Sequence, residues 1–172
     1  MSKYTVAGIE VDLMTNSYIH AALWAETISL PVAEEDLVDG CMDVSEDHPL
    51  YEIPECEPFD SYFDVDDCTE EFVRAAIADC AEFKRRCEQC DRGAGCTLWE
   101  ELTEIADDES DIGYDFWLTR NHHGAGFWDG DFDNSEELPE GLDNAGDAAT
   151  AIAQEFSEIN MWATEEGRID LM

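Results

Sequence analysis

The sequence predicts an α+β fold in which a small antiparallel sheet is packed with about three helices. Three observations lead there. The stretch GYDFWLTRNHHGAGFWDGDF, Gly113–Phe132, sets strand-forming residues on either side of turn chemistry at Asn121–Gly126. It reads as a hairpin near 114–132 with an aromatic face turned inward. A second hairpin falls near 160–172, where a Glu165-Glu166-Gly167 turn separates two short runs. Two further segments carry helical periodicity behind capping boxes.

In chain order, residues 4–13 partly alternate and read as a strand. Residues 16–26 form a short helix with Ile19, Ala22 and Leu23 on one side and Asn16 or Ser17 as N-cap. Residues 34–71 are an acidic, loop-rich region broken by Pro49, Pro54 and Pro58 and anchored by scattered aromatics such as Tyr51, Phe59 and Phe63. A long helix follows over Asp67–Gln89, with an Asp67/Glu70 capping box. Its apolar stripe is Phe72, Val73, Ala76, Ile77, Cys80, Phe83 and Cys87. Lys84, Arg85 and Arg86 suit the negative end of its dipole. Thr97 and Glu100 box the start of the next helix, striped by Leu98, Leu102 and Ile105 and ended by Asp107-Asp108-Glu109. The last helix spans 146–157 with Ala149, Ile152, Ala153 and Phe156 inward. There is no internal repeat, and the 172 residues read as one domain.

The charge is the strongest compositional signal. Eight Lys+Arg against 44 Asp+Glu leave −36. A compact chain of this length has a radius of gyration of about 16 Å. Duplex DNA carries roughly one charge per 1.7 Å of axis, so this chain rivals DNA in charge per length. Three blocks hold nearly all of it: 34–71 sums to −16 without one Lys or Arg, 97–115 to −8 and 129–158 to −10, whereas 72–96 sums to +1. A field of this sign excludes direct nucleic-acid binding and repels itself within the compact state. A hydrophobic fraction of 44 % is too high for a disordered acidic tail. No apolar run reaches the length of a membrane span, and MSKYTVAGIEVDLM lacks the pattern of a signal peptide. The expectation is a cytoplasmic protein with mostly reduced cysteines.

Three constellations could carry chemistry. Cys80, Cys87, Cys90 and Cys96 follow C-x6-C-x2-C-x5-C, which could close a structural zinc site. Against zinc, Cys80 and Cys87 fall on the apolar stripe, where thiols pack as small hydrophobes. Asp129, Asp131, Asp133, Glu137 and Glu140 place oxygens at calcium-loop positions, but Asn134 stands where that loop needs glycine. A nuclease or hydrolase could use His122-His123 beside Arg120 and Asn121, yet no GxSxG, HExxH or phosphate loop accompanies them. No cofactor beyond a possible zinc, and no enzymatic activity, is expected.

The segment DFWLTRNHHGAGFWD, Asp115–Asp129, is similar to one found in small acidic proteins of bacteriophages and related mobile elements. The resemblance implies a phage-type source and not a mechanism. Together with the cation-free blocks it leads to a non-enzymatic inhibitor that mimics DNA. Such a protein docks an acidic surface onto the nucleic-acid-binding site of a host defence protein in the bacterial cytoplasm. The residues expected to bind that partner are Glu34, Glu35, Asp36, Asp39, Asp64, Asp66, Asp67, Glu70 and Glu71, then Asp107, Asp108, Glu109 and Asp111. A metal-binding accessory protein and a haloadapted protein of other function are the alternatives.

Overall fold

A computed structural model of the chain describes residues 3–27, 37–38, 41–42, 58–93, 95–135, 138, 142–164 and 166–171. The expected first strand folds back on itself: β1 (Tyr4–Val6) pairs antiparallel with β2 (Ile9–Val11). Asp12 then caps α1 (Leu13–Ala25), accepting from the Thr15 amide at 2.8 Å, earlier than the expected Asn16 or Ser17. Two short strands, β3 (Leu37–Val38) and β4 (Cys41–Met42), pair within the acidic loop-rich region.

The long helix α2 covers Glu70–Gln89 and buries Phe72, Val73, Ala76, Cys80, Phe83 and Cys87, as the stripe predicts. Its cap is Thr69 and not Asp67. Asp67 instead closes a capping box with Asp64 around the 3-10 turn Val65–Asp67. Thr69 also donates from Oγ1 to Asp170 at 2.8 Å, and its amide donates to the Ile169 carbonyl at 2.8 Å. These two bonds dock the C-terminal hairpin, β7 (Met161–Ala163) with β8 (Ile169–Leu171), onto the start of α2. That hairpin matches the one expected near 160–172. Between α2 and α3 (Leu98–Ile105), β5 (Asp91–Gly93) pairs with β6 (Cys96–Thr97). The Thr97/Glu100 capping box is present.

The hairpin expected near 114–132 does not form. Asp108 caps α4 (Glu109–Arg120), so most of the supposed first strand is helix. The turn chemistry after it is a helix C-terminus. The His122 amide donates to the Thr119 carbonyl at 3.2 Å, and the His123 amide to Leu118 at 3.0 Å, with His122 left-handed at φ 55. This is the paired 6→1 and 5→2 bonding of a Schellman motif. Phe127–Asp129 is a 3-10 turn, and α5 (Ala145–Ala153) follows, capped by Asn144. Among the described residues there are five α-helices where about three were expected, and the strands form four separate two-stranded ladders. The class remains α+β.

Of the aromatics of Gly113–Phe132, Phe116 and Trp117 enter the core from α4 and Phe127 and Phe132 from the segment after it, whereas Trp128 is exposed. Phe83 of α2 stacks on Phe116 at 4.3 Å and on Phe127 at 5.6 Å. Tyr18 of α1 lies against Phe116 and meets Trp117 edge-on. The α1–α4 pair is the most extensive contact between elements.

Candidate functional site

All eight cations of the chain are used inside the fold. Lys3, Arg74, Lys84, Arg85, Arg86, Arg92 and Arg120 make ion pairs with carboxylates at 2.6–3.3 Å. Arg168 donates to the Cys68 carbonyl. Two of these arginines have largely covered side chains, and Arg120 is buried as a whole. Arg92 pairs with Glu101 at 2.9 Å, and Arg120 reaches Asp79 at 2.6 Å, the Tyr18 hydroxyl at 2.7 Å and the Ser157 carbonyl.

Glu34, Glu35, Asp36 and Asp39 lie outside the described residues, as does Glu140. Asp64, Asp66 and Asp67 are partly structural. Asp64 and Asp67 hold the 3-10 turn, and Asp66 accepts from the Ala7 amide at 3.1 Å, tying the β1–β2 turn to it. Glu70 pairs with Arg74, and Glu71 is exposed on the first turn of α2. Asp108 caps α4, and Glu109 pairs with Lys84 at 3.3 Å.

The acidic residues that come together are Asp107, Asp111, Asp115, Asp129 and Asp131. They ring a cavity of about 470 Å³ between the end of α3, one face of α4 and the segment after it. Asp111, Tyr114, Asp115 and Leu118 share that face of α4 because three- and four-residue steps return to the same side of a helix. Ile105, Leu118, Ala125 and Phe132 supply apolar wall. Within this ring Asp115 is mostly buried. Burial, then the neighbouring charges of Asp129, Asp131 and Asp111, push its carboxyl up from 3.8 to about 7. None of the five forms an ion pair among the described residues.

A second cavity of about 340 Å³ adjoins the first, with Leu118 and Ala125 lining both. Trp24 and Ala25 of α1 close it, beside His123 and Gly124. Trp24 is 54 % exposed and rests on Tyr114 with ring centroids 5.7 Å apart. At the edge, His123 Nε2 meets Glu26 Oε1 at 2.7 Å.

The expected metal groups are placed differently. Cys80 and Cys87 are buried on α2 among apolar side chains, while Cys90 and Cys96 are half-buried near β5 and β6. Burial pushes the Cys87 thiol up to about 12 and Cys80 higher still, which opposes the thiolate that zinc needs. Asp129 and Asp131 line the cavity, whereas Asp133 accepts from the Ser135 amide at 2.9 Å. Among the described residues, no three His, Cys, Asp or Glu side chains gather as a metal ion requires, and no helix is long and apolar enough to cross a membrane. Neither Asp115 nor Trp24 stood out in the sequence. Comparisons with protein-family models, curated proteins and solved structures give no match for this chain.

Proposed function

We propose that the protein is a non-enzymatic, DNA-mimicking inhibitor. It docks its acidic surface onto the nucleic-acid-binding site of a host defence protein in the bacterial cytoplasm. The observation that carries this reading is the internal use of every cation in a chain of net charge −36. Seven cations neutralise carboxylates within the fold, so the outward field is almost purely anionic. Such a field attracts the basic groove that nucleic acid otherwise occupies, and it repels nucleic acid itself.

The test starts with capture of a partner from bacterial lysate. Competition between that partner's duplex DNA and the purified protein is then measured across a salt series. Competition, and weakening of the complex as salt rises, are expected. Converting Glu34, Glu35, Asp36, Asp39 and Glu71 together to Gln and Asn should weaken the complex and leave the fold intact. A complex indifferent to salt and to this change defeats the reading. So does a protein that folds only in molar salt and shows no preference for DNA-binding partners, the behaviour of haloadaptation.

A further inference from the structure

We infer that the carboxylate-ringed cavity and the adjoining Trp24 ledge form one anchoring site for a basic segment of a partner protein. The cavity takes an arginine side chain, and the ledge takes the aliphatic residue beside it. This rests on the proposed function and specifies which part of the acidic surface gives the complex its register.

Three observations support it. The first cavity lies within the size range of ligand clefts, about 300–1,000 Å³, and among the described residues its carboxylates do not gather as a metal ion requires. Asp107, Asp111, Asp115, Asp129 and Asp131 surround it without forming a metal-ion cluster, and none is in an ion pair among the described residues. An extended, planar cation with several donors answers that arrangement better than a metal ion. Tyr114 in the same wall offers a face on which a guanidinium can stack.

The second observation is the ledge itself. A tryptophan half in solvent leaves a large apolar area uncovered, and exposed tryptophans are the side chains that most often anchor interfaces. The third is continuity: Leu118 and Ala125 line both cavities, so a charge in one lies next to an apolar group in the other. An arginine followed by leucine presents that pair of chemistries. Nucleic acid brings phosphate anions where the cavity calls for a cation, so it does not fit.

The test titrates the 15N-labelled full chain with N-acetyl-arginyl-leucinamide and follows backbone amides. Saturating shifts confined to Leu118, His123, Ala125 and their neighbours are expected. The citrulline analogue, which keeps the shape and loses the charge, should bind at least ten-fold more weakly. Asp115→Asn and Trp24→Ala should each weaken binding five-fold or more. Glu71→Gln, which removes the same charge elsewhere, should leave it unchanged. Shifts spread over the whole acidic surface without saturation overturn the proposal, as does equal binding of the citrulline analogue. An equal loss with Glu71→Gln does so too. The same two variants in the captured complex separate this proposal from the functional reading. A complex weakened by the five-residue neutralisation but indifferent to Asp115→Asn and Trp24→Ala removes the anchor alone. A saturable arginine site in a protein that fails to compete with DNA removes the mimicry alone.

Discussion

Gly113 of α4 lies so close to Met14 of α1 that a Cβ on the glycine would stand 2.1 Å from the Met14 carbonyl oxygen. The most extensive helix pair in the fold therefore depends on a missing side chain. Gly113→Ala improves local helix propensity by about 1 kcal/mol, yet it forces two backbones apart. The overlap dominates, because it disturbs packing along the whole pair. A net loss of about 2–4 kcal/mol is expected, read as a fall in the denaturant midpoint. Unchanged stability would show that the helices separate freely.

Arg120 joins α1, α2 and the chain after α5 through bonds to Tyr18, Asp79 and Ser157. It is 3 % exposed, so removing it leaves the buried Tyr18 hydroxyl without this donor, takes the counter-charge from the half-buried Asp79 and empties the space its side chain fills. Arg120→Ala should cost about 3–5 kcal/mol. Arg120→Lys should recover little, since an ammonium cannot reproduce the planar set of donors. Tyr18→Phe, which removes one neutral partner, should cost about 1 kcal/mol. Thermal melts of the three variants give this order or refute it.

His122 occupies the left-handed position of the α4 C-terminus with φ 55. Its side chain is exposed, and its only ion-pair neighbour among the described residues is Glu158 at 3.5 Å. His122→Gly removes the steric cost of that conformation and should stabilise the fold by about 0.5–1 kcal/mol, seen as a raised melting temperature. A fall would mean that the imidazole contributes more than the backbone strain costs.

Asp115 gives the pH dependence a definite sign. Its carboxyl titrates near 7 in the fold against 3.8 ordinarily, so between those values the folded state holds more protons than the unfolded one. Stability from this group is therefore lost as pH rises from about 4 to about 7. Asp115→Asn removes the dependence. The variant should be more stable than the parent at pH 8, by on the order of 2–4 kcal/mol, and similar to it at pH 4. Paired unfolding curves at the two pH values test this. An Asn variant destabilised equally at both would show that the carboxylate is needed and not merely tolerated.

How much of this was legible in the sequence depended on how each element is buried. The helices α2 and α3 hide one face each, so their stripes and the Thr97/Glu100 box gave them away. By contrast, α4 is buried over Ile112, Gly113 and Phe116–Arg120, nearly all round, and shows no stripe. Its aromatic and β-branched composition then suggested a strand, a preference that tertiary packing readily overrides. Asn121 and His122 served a helix end as well as they would a hairpin turn. In the sequence Asp107-Asp108-Glu109 reads as the end of α3, although Asp108 with Glu109 and Asp111 is equally the cap and first turn of a new helix. Once that helix was missed, the shared face of Asp111, Asp115 and Leu118 could not be seen, and the cavity with it.

The buried thiols of Cys68, Cys80 and Cys87 have a kinetic consequence. Each is shielded from solvent, and burial holds it in the unreactive protonated form. An alkylating reagent can label them only while the surrounding helix and hairpin are open. Cys90 and Cys96, half-exposed, are open to reagent in the closed fold. The protein thus carries its own clock and its own control. Fast labelling at Cys90 and Cys96 reports reagent strength, while slow labelling at Cys68, Cys80 and Cys87 counts how often the core comes apart.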